Sequence, residues 1–176
     1  MEGSLLIDAS QSQLLLIDVQ TRLTPAIEGS EHCINACGML LTAARRLGLP
    51  VTVTEHCPDK VGPTIAILRD QLDPTEIVSK RHFNGALEPD LHDRLSSSDR
   101  PLIVIAGMEA HVCVLQTALG LKAKGFRPIL VADAVGSRHQ GVDIVNAEMA
   151  IFEWLGTADT KAFSDLLPMI KSGSVV

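Results

Sequence analysis

Three side chains in this sequence stand where they could do chemistry together: Cys113, Asp18 and Lys80. Cys113 follows the apolar run Pro101-Leu-Ile-Val-Ile-Ala106 and sits at the start of a helical window. The partial positive charge of a helix N-terminus would favour its thiolate, a candidate nucleophile. The plainer alternative is a buried core cysteine. Asp18 closes the run Gln13-Leu-Leu-Leu-Ile17. A carboxylate ending a hydrophobic strand is costly unless paired. It is therefore either a structural acceptor or a general base and acid that carries the thiol proton. Lys80 closes a third run, Thr75-Glu-Ile-Val-Ser79. It is either a surface lysine with its ammonium in water or a neighbour of the other two, favouring carboxylate and thiolate alike.

These residues need a frame that brings distant segments to one rim. Apolar runs at 13–18, 50–54, 75–79, 101–106 and 128–132, with a weaker one at Gly156-Thr157-Ala158, show no polar alternation. Such runs suit strands buried on both faces. Helical windows lie between and after them. In Cys33 to Leu47, Ile34, Cys37, Leu40, Leu41, Ala44 and Leu47 share one face, and Gly48 ends the window. His111 to Lys124, Gly141 to Trp154 and Asp159 to Ile170 read similarly, whereas Cys57 to Pro63 reads as irregular loop and 171–176 as a frayed tail. Strand and helix alternating about six times predict a three-layer α/β/α fold, with a doubly wound, mostly parallel sheet of about six strands. The 176 residues suit a single domain over 1–176. Ligands of such sheets bind beyond the carboxyl ends of the strands. That is where Asp18, Glu55 with His56, Lys80, the segment 107–113 and Asp133 are expected, and Asp18, Lys80 and Cys113 can converge there.

Here the residues carry a family resemblance. Leu15-Leu-Ile-Asp-Val-Gln20, Val78-Ser-Lys-Arg-His-Phe83 and Ile105-Ala-Gly-Met-Glu-Ala-His-Val-Cys-Val-Leu-Gln-Thr117 resemble the three signature segments of isochorismatase-like cysteine hydrolases, and 125–138 also fits. The segment Val53-Thr-Glu-His-Cys-Pro-Asp-Lys-Val-Gly-Pro63 is similar to the branch of isochorismatase domain-containing and YcaC-like hydrolases. The resemblance implies a mechanism. Asp18 takes the Cys113 proton, Lys80 balances charge, and the thiolate attacks a small amide or related acyl compound to give a thioester. It further implies an oxyanion hole from the backbone amides of Glu109 and Cys113, a cis peptide at Met108–Glu109, and no cofactor. Gln20 and Phe83 are expected to line the pocket. Glu55 falls on its rim, with His56 as loop residue or pocket wall. His111 either contacts substrate or packs at a subunit face. Asp133 reads as structural, and Glu148 and Trp154 as helix-surface and packing residues.

Departures narrow the reading. Nicotinamidase-type relatives carry an Asp and several His after the second strand, and these bind a metal; here Glu55, His56 and Cys57 follow, with no further His until His82. No catalytic metal is expected. Cys33 and Cys37 lack a second ligand pair and read as buried small side chains. With 15 basic against 21 acidic side chains and no basic cluster, a nucleic-acid partner, and with it a ribonuclease, is disfavoured. No apolar run reaches the roughly 20 residues of a membrane span, and Met1 to Ser12 does not resemble a secretory leader. A cytoplasmic homo-oligomer acting on a small molecule is expected, its subunit contacts including the helix after Cys113. The competing reading is a catalytically silent or thiol-redox oligomeric scaffold that keeps the same fold.

Overall fold

The computed structural model describes residues 7–137. Five strands form one parallel sheet: β1 (Ser12–Ile17), β2 (Val51–His56), β3 (Ile77–Lys80), β4 (Leu102–Met108) and β5 (Arg127–Gly136), in the spatial order β3-β2-β1-β4-β5. The helices are α1 (Ser30–Leu47), α2 (Pro58–Val61), α3 (Ala66–Arg69), α4 (Pro89–Ser96) and α5 (Leu115–Ala123), with a π-helical turn, Ala110–Val114, leading into α5. The chain separates into Met1–His139 and Gln140–Val176, and every described residue lies in the first. The proposed sixth strand at 156–158, the helices 141–154 and 159–170, the tail, and Glu148 and Trp154 fall outside the described residues, as does part of the single domain expected over 1–176.

The unbroken apolar runs are explained by two cores, one on each face of the sheet. Alternate residues of β1 serve them: Leu14 and Leu16 pack with Cys33, Cys37, Leu41 and Ala44 of α1. Leu15 and Ile17 pack with Leu91 and Leu95 of α4 and with Cys113, Ala118 and Leu121. A strand with helices on both sides has no wet face, so polar alternation would leave unpaired groups inside. This is the α/β/α sandwich predicted from the pattern.

Several boundaries differ from the expectation. Helix α1 begins three residues earlier, at Ser30. The segment 57–63 contains the short helix α2. Helix α4 was not foreseen, because eight residues with only Leu91 and Leu95 buried give little periodic signal. Strand β5 runs on to Gly136, so Asp133 lies within a strand and not after it. Among the described residues no helix is long and apolar enough to cross a membrane.

The strand order reverses between β1 and β4, which pair from Ser12↔Leu102 to Ile17↔Gly107. At such a switch point the loops leave in opposite directions and open a crevice. Gly107 shapes that crevice. Its φ is +125°, and an added Cβ would overlap the backbone of Ile17, 2.6 Å from its nitrogen. The register with β5 also shifts between Ile105 and Gly107. Gly107→Ala should therefore lower stability by about 3 kcal/mol or more, since neither backbone can yield without breaking the ladder. Urea unfolding measures it, and a loss under about 1 kcal/mol would contradict the close approach.

Candidate active site

Asp18 leaves the end of β1 in the left-handed region, with φ +52°. Its amide donates to the Thr54 carbonyl of β2 at 3.1 Å, and its Oδ1 accepts the Thr54 hydroxyl at 2.7 Å. Lys80 ends β3, two strands away across β2, which is about 10 Å at ordinary strand spacing. Only a long side chain closes that gap. Its Nζ lies 2.7 Å from Asp18 Oδ2, and both side chains are 0% exposed. Nζ also donates to the His82 carbonyl at 3.1 Å. The Cys113 thiol, from the π-helical turn, lies close enough for both side chains to act on its ionisation. The structure thus brings Asp18, Lys80 and Cys113 together at the carboxyl rim.

The electrostatics differ from the sequence expectation in one respect. A helix N-terminus and a lysine were expected to favour the thiolate. Burial instead pushes the Cys113 thiol up to about 12, Asp18 adds to the rise, and Lys80 opposes it without prevailing. The dominant cause is loss of water around the sulfur, because Cys113 is only 6% exposed. The resting site is a neutral thiol beside a closed ion pair.

Other named residues divide into anchors and exposed walls. Gln20 has no exposed surface; its amide donates to the carbonyls of His56 and Gly62 and accepts from the His56 amide at 2.8 Å. Glu55 accepts from the Thr64 amide, the Thr64 hydroxyl and Arg69. Both hold the loop after β2 through these bonds. His56 and Phe83 stand as neighbours, ring centroids 5.2 Å apart, with Phe83 exposed. Burial, then the Lys80 charge, lowers the His56 pKa from its usual value, against Asp18 and Glu88. His56 Nδ1 is buried without a hydrogen-bond partner. Phe83 is carried by a loop that Glu88 fixes, accepting from the Arg81 and His82 amides and lying 2.9 Å from the His82 ring. Burial opposes the ionised Glu88, yet those hydrogen bonds hold its pKa down to about 2. Glu109 is buried, and the Met108–Glu109 peptide is cis. His111 Nδ1 lies 2.8 Å from Ser137 Oγ, and Nε2 lies 3.9 Å from Glu109.

Among the described residues no group of three or more His, Cys, Asp or Glu lies together as a metal would require. Cys33 and Cys37 both direct their thiols to the Ala134 carbonyl inside the core. A cavity of about 520 Å³ near the end of β3 is lined by Cys57, Pro58, Asp59, Ser79, Lys80, Arg81 and Glu88, without Cys113 or Asp18. Sequence reading missed Thr54. Its one signal was a hydroxyl inside a β-branched run where valine would pack as well.

The charges around the thiol have opposite, testable effects. Asp18→Asn should lower the midpoint of Cys113 ionisation by at least about one pH unit, and Lys80→Met should raise it by a similar amount. The pH dependence of iodoacetamide alkylation at Cys113, read by peptide mass, measures both. Reversed signs, or a wild-type midpoint near that of a free thiol, would contradict this geometry.

The comparisons with known proteins place the chain. The model of the isochorismatase domain matches residues 12–160. Isochorismatase domain-containing protein 2 of Xenopus laevis is 30% identical over 173 residues, covering 90% of this chain and 83% of that protein. A solved structure described as the MAR1 ribonuclease of Caenorhabditis elegans is 29% identical with a TM-score of 0.70, covering 97% of this chain and 94% of that one. The YcaC gene product of Escherichia coli, described as an octameric hydrolase of unknown specificity, is 22% identical with a TM-score of 0.72 and shares the fold over 80% of this chain and 71% of its own. By its sequence, its fold and the extent of these matches, the chain belongs to the isochorismatase domain family.

Proposed function

We propose that the chain is a cysteine hydrolase that cleaves a small amide or related acyl compound through a thioester on Cys113. The observation that carries this reading is the buried Asp18–Lys80 pair at 2.7 Å with the Cys113 thiol beside it. A thiol with a pKa near 12 is no nucleophile by itself at neutral pH. A carboxylate beside it would supply a local destination for its proton. As the Sγ–C bond forms, the proton passes to Asp18 while Lys80 keeps its positive charge beside the carboxyl group. The tetrahedral oxyanion is received by the backbone amides of Glu109 and Cys113. Collapse breaks the C–N bond, and Asp18 returns the proton to the departing amine. Water then attacks the thioester, giving its proton to Asp18 and releasing the acid and the thiol.

His56 and Phe83 are the proposed substrate walls. His111 faces the same rim. The reaction needs neither metal nor cofactor. Exposed Leu115 and Leu119 on α5, with the octameric E. coli relative, support a homo-oligomer, and four free thiols support a cytoplasmic setting. The C. elegans relative is described as a ribonuclease, but a net charge of −6 and a buried, closed ion pair favour a small uncharged substrate here.

The raised thiol favours one second reading, a silent scaffold whose cysteine never ionises. A library of small amides turned over by wild type and by Cys113→Ala separates the two. The hydrolase reading expects the variant to lose at least about a thousandfold in rate, and a quenched wild-type reaction to carry an acyl group on Cys113. Equal rates, or no cleavage of any amide, would favour the scaffold.

A further inference from the structure

The two carboxylate oxygens of Asp18 differ: Oδ1 is hydrogen-bonded, whereas Oδ2 is ion-paired and accepts no hydrogen bond among the described residues. Lys80 stands at Oδ2, 2.7 Å away. Thr54 donates its hydroxyl to Oδ1, also at 2.7 Å. The same threonine pairs with Ile17 in the β1–β2 register and accepts the Asp18 amide at its carbonyl. One residue therefore holds Asp18 by backbone and by side chain. Both residues are 0% exposed. In a strand buried on both faces, valine would fill the same space without a hydroxyl to satisfy. The branched Cβ also restricts χ1, so the hydroxyl has little freedom to point elsewhere.

We infer that Thr54 is a positioning residue: its hydroxyl locks the Asp18 carboxylate through Oδ1, so that Oδ2 alone takes the Cys113 proton and delivers it to the leaving group. The inference rests on the hydrolase reading above. Oδ1 already accepts a proton donor, so a proton arriving at Oδ2 leaves the Thr54 bond intact. Without the hydroxyl the carboxyl group could turn and carry its proton away from the scissile bond. The ionisable groups around Asp18 are Lys80 on β3, Cys113 on the π-helical turn and His56 on β2.

Aryl esters separate proton delivery from attack. With p-nitrophenyl acetate, Sγ–C forms, C–O breaks and the nitrophenolate leaves unprotonated. With phenyl acetate the more basic phenolate depends on the proton held at Oδ2. The acetylation rate of Cys113 is followed by peptide mass with both esters in wild type, Thr54→Val, Thr54→Ala and Thr54→Ser. Alanine accompanies valine because an isosteric apolar neighbour to a buried carboxylate can prevent folding. Valine and alanine are expected to lose about tenfold on phenyl acetate relative to p-nitrophenyl acetate, while serine keeps the wild-type ratio. A ratio unchanged in valine and alanine, or both esters slowed equally as a general structural defect would slow them, overturns the role of Thr54 and leaves the nucleophile in place. No acetyl group on wild-type Cys113 from either ester overturns the hydrolase reading itself.

Discussion

The ion pair of Asp18 and Lys80 is the constraint on which the rim depends. Two opposite charges with no solvent access are tolerated only if their remaining hydrogen-bonding capacity is met. Here Thr54 and the His82 carbonyl help to meet it. That requirement ties three strands and the β3–α4 loop to one point. It explains why β3 ends in a lysine, why the adjacent strand places a hydroxyl in an apolar run, and why Asp18 takes a left-handed backbone conformation as the chain leaves β1.

Burial sets the state of the sulfur, and the two charges beside it act in opposite directions, Asp18 with the burial and Lys80 against it. In a dry site, a thiolate next to a closed carboxylate–ammonium pair would add an unbalanced negative charge, so the proton stays on Cys113. In the proposed mechanism, moving that proton to Asp18 while a bond forms would keep the net charge of the cluster and the oxyanion constant at every step. This is a different strategy from a cysteine ionised in advance by a helix N-terminus. It would tie reactivity to the arrival of an electrophile.

Much of the fold could be read from the sequence because its periodicities are physical. Runs such as Leu14 to Ile17 have no polar alternation since each face meets a helix layer, and five strands appear where such runs lie. The meeting of Asp18, Lys80 and Cys113 was legible from their positions at strand ends in a parallel sheet. The raised thiol was not, because burial is a property of the assembled rim, and helix position alone pointed the other way. Nor were the anchoring roles of Gln20 and Glu55, whose partners are backbone groups of a loop with no sequence signature. Helix α4 was too short to show a period, and the bulge that extends β5 past Asp133 left no mark in composition.

A double-mutant cycle on the ion pair tests the account most directly, by urea unfolding of wild type, Asp18→Asn, Lys80→Met and the double variant. Each single change strands the other charge in a dry site and should cost about 3 kcal/mol or more. The double variant should be more stable than the sum of the two losses implies, by at least about 2 kcal/mol. Losses that add to within about 0.5 kcal/mol would mean the two side chains do not depend on each other, and the account of the rim would fail.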